Sequence, residues 1–284
     1  MLVRSHHDPR EFLELVEPFL VAREVENSLP LGIARQFVDT ATHDGLMFSV
    51  ESGMDVVAVA VKSPKRNVVM TAAPDLAVEA LAKYFHAYAM PVPGVNAPEI
   101  AARQFATTWH KLSGEVMTER TRLRLFEIRA VSPQLPPPPT GAIRFATLDD
   151  AGLVEHWLCA FIDEATHDRH DHVRERVARA IGANHVALWT DERGEPTSMA
   201  AVTRRSPRGS TIAWVYTPSD HRGKGYATAC VAGLTRRELA GGREFCTLYT
   251  DLANPTSNAI YARIGYRSVC DWLDATFHEL APGS

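Results

Sequence analysis

Arg222, Gly223, Lys224 and Gly225 put two cations and two glycines into four consecutive positions. They stand between a β-branched and aromatic run, Ile212 to Thr217, which Pro218 ends, and an apolar helix pattern at Ala227, Cys230, Val231 and Leu234 that Gly241 and Gly242 can close. A strand, a short loop and a helix are therefore expected in that order. The first amides of a helix lack intrahelical partners, and with the helix dipole they attract anions. Glycine lets a diphosphate approach the backbone closely, and Arg222 and Lys224 add charge. The chemistry on offer is the holding of a phosphate-bearing ligand. A P-loop would need Lys and then Ser or Thr directly after its last glycine, where Tyr226 and Ala227 stand. A dinucleotide fingerprint would need a third glycine and a later acidic residue, which this stretch does not provide.

The spacing Arg222, Gly225, Ala227 fits Arg/Gln-x-x-Gly-x-Gly/Ala and resembles the acetyl-coenzyme A loop of the GNAT superfamily of N-acetyltransferases. Downstream, Asn254, Ser257, Tyr261, Gly265 and Tyr266 resemble that superfamily's Asn-x-x-Ser/Ala-x-x-x-Tyr-x-x-x-Gly-Phe/Tyr segment, in the order the family uses. The resemblance implies an α/β GNAT fold, a mixed central sheet flanked by helices, for residues 142–284, with acetyl-CoA as cosubstrate and a small-molecule amine as acceptor. It implies cofactor contacts at Val215, Tyr216, Thr217, Arg222, Gly223, Lys224, Gly225, Tyr226, Ala227, Thr228, Asn254, Ser257 and Asn258. A splayed central strand would leave the amide near Val215 free for the thioester carbonyl or pantetheine.

Tyr261 would be the general acid for the departing sulfur, its ordinary pKa near ~10 being set against ~8.5 for a thiol as favouring proton transfer. Each residue also has a plain structural role open to it: Asn254 as helix cap, Ser257 as first-turn filler, Tyr261 as core. Between the first two helices of this half, Glu164, His167 and His170 are candidates for the acceptor side. Their His-x-x-His-x-His neighbourhood, ending at His172, also suits a solvated loop or a metal; no metal is expected. The leading expectation is an N-acetyltransferase attacking the thioester directly. A coenzyme A-binding regulatory or structural module is the alternative, since no glutamate base is obvious on the central strands.

The elements that must position these residues follow from periodicity. Ahead of the loop come a strand at 142–146, a helix beginning near Asp149, a helix at 173–181 and strands at 185–190, 197–203 and 210–217. After it come a strand at 245–250, a helix capped by Asn254 with Pro255 at its first position, and a last strand. The first half repeats this alternation roughly, with helices at 11–20 and 23–37, the second interrupted near Pro30. Strands follow at 46–51, 56–61 and 67–71, a helix at 74–88, a turn at 91–94, a helix from Pro98 to 112 and a strand at 120–131. It has no glycine loop of the same kind, so the chain resembles tandem GNAT proteins with a degenerate first copy, here 1–131. Pro136 to Pro139 make 132–141 a semi-rigid linker.

Composition agrees with two modest globular domains in 284 residues, 45% of them hydrophobic and 23% charged. A net charge of -4 argues against a nucleic-acid or polybasic membrane binder. Four cysteines without metal-type spacing suit free thiols in a reducing cytoplasm, and no segment has the length or apolarity of a membrane span or leader.

Overall fold

The structure, a computed structural model, describes residues 1–40, 45–166 and 170–279. It comprises two compact units: Met1–Leu125 joined by the chain from Val269 onward, and Phe126–Ser268.

The first unit runs β1 (Leu2–His6), α1 (Pro9–Ala22), α2 (Ser28–Asp39), β2 (Leu46–Ser52), β3 (Asp55–Lys62), β4 (Val68–Met70), α3 (Asp75–Ala87), β5 (Gly94–Pro98), α4 (Glu99–Ser113) and β6 (Val116–Ile128), the last reaching into the second unit. Asp8 caps α1 by accepting from the amides of Arg10 and Glu11 at 2.7 and 3.1 Å. Side chains alternate across β3: Ala58 and Ala60 join a core of Phe48, Leu81, Phe85 and Phe105 under α3 and α4, while Val59 and Val61 are buried on the opposite face. Pro30 stands in the first turn of α2, where its missing N–H costs nothing, so the helix starts at Ser28 and is not broken there. Strand β5 is absent from the sequence reading. Its Gly-Val-Asn-Ala-Pro composition is poor in strand formers, and neighbours hold it: Val68 and Val69 of β4 pair with Val95 and Asn96.

The rest of the chain repeats the order: β7 (Ala142–Phe145), α5 (Ala151–Phe161), α6 (Val173–Gly182), β8 (Val186–Thr190), β9 (Pro196–Arg205), β10 (Gly209–Tyr216), α7 (Tyr226–Ala240), β11 (Phe245–Asp251) and α8 (Pro255–Ile264) in the second unit, then β12 (Arg267–His278). The second unit's strands lie in the order β7, β8, β9, β10, β11, antiparallel except for the parallel β10–β11 pair. Ala187, Trp189, Ala200 and Ile212 face α7 and α8, and Val186, Leu188, Met199 and Trp214 face α5 and α6, so each sheet face has its own core. A 3-10 turn at Leu148–Asp150 leads into α5 through a capping box of Thr147 and Asp150. Arg144 grips Asp150 at 2.7 and 2.8 Å and holds its carboxyl down at about 2.

Pairing overrides chain order at the end of the molecule. Trp272 to Thr276 of β12 pair antiparallel with Pro98 to Gly94 of β5, so the strand kept with the second half on sequence grounds counts with the first unit. Arg124 to Asp271 and Asn67 to Asp274 add side-chain ties at 2.7 Å. The proline run belongs to the second unit. Ser132 N–H donates to the carbonyl of Ile264 at the end of α8 (2.8 Å), and Leu135 packs on the α7–α8 core.

Candidate active site

Strands β10 and β11 pair only at Gly209–Phe245, Ser210–Cys246 and Thr211–Thr247, although both continue for several residues. On its other edge β10 shifts register between Ala213 and Tyr216, where one extra residue makes a bulge centred on Trp214, buried and at φ +54°. Trp214 and Val215 thus fall outside both ladders, and the expected splay lies at Val215. Tyr216 and Thr217 are fixed just beyond it: Ser198 Oγ donates to the Tyr216 carbonyl at 3.1 Å and lies 2.9 Å from Thr217 Oγ1.

From there the chain makes a 3-10 turn, Ser219–His221, and enters α7 through Gly223 (φ +75°) and Gly225 (φ +84°). These two glycines are required, because L side chains rarely adopt that backbone. Gly225 precedes the helix without any side-chain cap, and the first helical bond is Ala229 N–H to the Gly225 carbonyl, 3.0 Å. The amides of Tyr226, Ala227 and Thr228 are left as donors. The two cations are held locally: Lys224 Nζ donates to the Asp220 carbonyl (2.9 Å), Arg222 Nε to the Thr217 carbonyl (2.9 Å) and Arg222 Nη2 to Glu164 Oε2 (2.6 Å). One contact has no signal in linear spacing: a Cβ on Gly225 would lie 3.8 Å from Pro139 Cδ, so the proline run passes beside the loop.

At the second motif, Asn254 caps α8 by accepting from Ser257 N–H at 3.0 Å, and Gly265 ends the helix at φ +114°. Asn258 Nδ2 donates to the carbonyls of Asp251 and Asn254 at 3.1 and 2.9 Å, while its Oδ1 is buried without a partner. An orphaned buried acceptor on α8 and, on α7, an uncapped, glycine-lined helix start are the kinds of group that a ligand carrying amide N–H groups and phosphate would satisfy, as the pantetheine diphosphate of coenzyme A does.

Tyr261 is buried between Phe126 and Tyr266, ring centroids 6.4 and 6.0 Å away. Burial pushes its pKa up, which keeps the phenol protonated. A phenol near ~10 is a weaker acid than a thiol near ~8.5, so complete transfer to a thiolate is uphill, contrary to the direction expected from the sequence. A protonated phenol here can donate a hydrogen bond, but it would not by itself hand its proton completely to a thiolate. Cys230 and Cys246 are pushed up to about 12 by burial and offer no thiolate for a covalent relay.

On the face of α5, that helix ends in a π-type turn over Ile162–Thr166. Glu164 on this turn meets Arg222 and also accepts from Tyr216 Oη at 3.3 Å. Burial first, and Glu164 second, raise the Tyr216 pKa. His170 Nε2 lies 2.8 Å from Asp163 Oδ1, both exposed, and His167 lies outside the described residues. Among the described residues no cluster of His, Cys, Asp and Glu could hold a metal, and no helix is long and apolar enough to cross a membrane.

Residues 192–273 match the family model of FR47-like protein. The whole chain superposes on an acetyltransferase of the GNAT family from Colwellia psychrerythraea, with 11% identity, a TM-score of 0.62 and 98% of this chain and 100% of that one covered. A GCN5-related N-acetyltransferase from Sphaerobacter thermophilus gives 13%, 0.63 and coverage of 99% and 97%. A tandem GNAT protein from the clavulanic acid biosynthesis pathway gives 11%, 0.56 and full coverage of both chains. No curated protein matches in sequence. The fold is that of the GNAT acetyltransferases. In its tandem form it accounts for both halves of this chain, whose ten-element order occurs twice.

Proposed function

We propose that the second unit is an acetyl-CoA-dependent N-acetyltransferase acting on the primary amine of a small or amino-acid-like acceptor. The observation that carries the reading is the uncapped start of α7, with two left-handed glycines, set after a strand whose pairing with β11 ends at Thr211 and whose bulge leaves Val215 outside both ladders. The amides of Tyr226, Ala227 and Thr228 would hold the diphosphate, helped by Gly223 and Gly225, and Asn254, Ser257 and Asn258 would flank the pantetheine arm. When bound, acetyl-CoA supplies the acetyl group activated as a thioester. The Val215 amide would donate to the oxygen on which negative charge develops, and Tyr261 to the sulfur that leaves. With Cys230 and Cys246 held as buried thiols, the amine attacks directly once its ammonium form has given one proton to solvent: its nitrogen forms the C–N bond as the C–S bond breaks, and a second proton passes to solvent or to the thiolate.

Thiol release from acetyl-CoA over a panel of primary amines tests this. Turnover with at least one amine is expected; tight coenzyme A binding without turnover on any of them would favour the alternative, a non-catalytic coenzyme A-binding module. That second reading draws on one observation: Glu164, the carboxylate that reaches the loop from α5, is already bound to Arg222.

A further inference from the structure

We infer that Glu164 is the ligand for the acceptor's ammonium group, and that Arg222 occupies it until the cofactor diphosphate draws the arginine away. The inference rests on the acetyl-CoA reading above and adds an order of events to it.

Arg222 and Glu164 come from two segments with different tasks. Arg222 stands in the glycine loop ahead of α7, while Glu164 lies on the turn that ends α5, and α5 packs on the sheet face carrying Trp214 and Tyr216. Three contacts fix the carboxylate and its partner: Arg222 Nη2 at 2.6 Å and Tyr216 Oη at 3.3 Å from the two oxygens of Glu164, and Arg222 Nε on the Thr217 carbonyl. Arg222 is the only cation paired with Glu164 among the described residues. Both side chains are half-exposed, and an exposed pair of this kind shifts an equilibrium by no more than about fivefold. A diphosphate offers the guanidinium more charge and a bidentate acceptor, and Arg222 stands one and three residues ahead of the left-handed Gly223 and Gly225.

Once Arg222 turns to the diphosphate, Glu164 keeps its hydrogen bond from Tyr216 and lacks a cation. It then stands beside Tyr216, next in sequence to Val215, where a thioester carbonyl would dock. An ammonium entering on the α5 face is the chemistry that restores its balance. Linkage follows: the cofactor raises acceptor affinity, and the free enzyme discriminates against binding the acceptor first.

A double-mutant cycle on the full chain tests this, with coenzyme A as the probe and titration calorimetry at fixed ionic strength. Glu164→Gln should tighten coenzyme A by ~2- to 5-fold, because the competitor for Arg222 is gone. In an Arg222→Ala background the same change should do nothing. Equal tightening in both backgrounds would mean that Glu164 merely repels phosphate, and no tightening in either would mean that Arg222 never leaves it; each result overturns the inference. If the wild-type chain fails to bind coenzyme A at all, the acetyl-CoA reading falls first. In amine turnover, Glu164→Gln should raise the KM for the acceptor by at least ~10-fold while Glu164→Asp restores part of it; an unchanged KM contradicts the ligand role. Far-UV circular dichroism of each variant separates these outcomes from misfolding.

Discussion

The chain crosses from strand to helix at the same place in its element order twice, and the two crossings differ in one respect. Between β4 and α3 stand Thr71–Pro74, with neither glycine nor cation. Thr71 continues the pairing with β3 through its amide to the Val59 carbonyl (3.0 Å), and its Oγ1 accepts from Val59 N–H (3.1 Å). The Pro74 carbonyl then accepts from the amides of Ala77 and Val78. Between β10 and α7 stand residues 217–225, which include Arg222, Lys224 and the two left-handed glycines. Both crossings deliver a helix onto a sheet and bury its apolar face, so the fold needs neither the glycines nor the cations. On the proposed function, what the longer loop adds is a helix start for a diphosphate, and architecture and anion binding would then be separable in this molecule.

That separation can be broken by substitution. The largest effect is expected from Gly225→Glu, which forces a side chain onto a left-handed backbone and sets a carboxylate at the phosphate site. Coenzyme A affinity should fall by more than ~100-fold, whereas Ala72→Glu, in the exposed turn of the first unit, should leave it unchanged in the same calorimetric titration. Next is Tyr261→Phe, which preserves the ring contacts with Phe126 and Tyr266 and removes the donor. Turnover should drop by ~100-fold with little change in cofactor affinity, and pre-steady-state thiol release will show whether chemistry is the step affected.

The smallest effect concerns how the helix ahead of the site is anchored. Asp150 has its carboxyl depressed to about 2, chiefly by Arg144, against about 3.9 unfolded. Its stabilising contribution is therefore present above pH ~4 and lost as pH falls from there toward ~2, a matter of ~1–2 kcal/mol after allowing for solvent screening. Asp150→Asn should remove that acid dependence from denaturant unfolding while the rest of the curve keeps its shape.

Much of this was legible in the residues. The loop at Arg222 to Ala227 and the segment from Asn254 to Tyr266 declare themselves because glycine, proline and asparagine have local backbone reasons to be where they are: Gly225 is left-handed, Pro255 is at the first helical position and Asn254 caps. Strand β5 and the placement of β12 were not legible, since both depend on partners remote in sequence and β5 has little strand propensity of its own. The bulge at Trp214 was hidden for the same reason: a tryptophan at positive φ is imposed by the register on β9, not by its neighbours in the chain. The Glu164–Arg222 pair spans 58 positions, and only folding brings it together.

The central claim is that one coenzyme A site exists per chain and that the β10–α7 loop makes it. Calorimetric titration of the intact protein with acetyl-CoA measures this directly. A stoichiometry of one that Gly225→Glu abolishes is the predicted result. A stoichiometry of two, or binding that survives Gly225→Glu undiminished, would place cofactor recognition elsewhere and contradict the account.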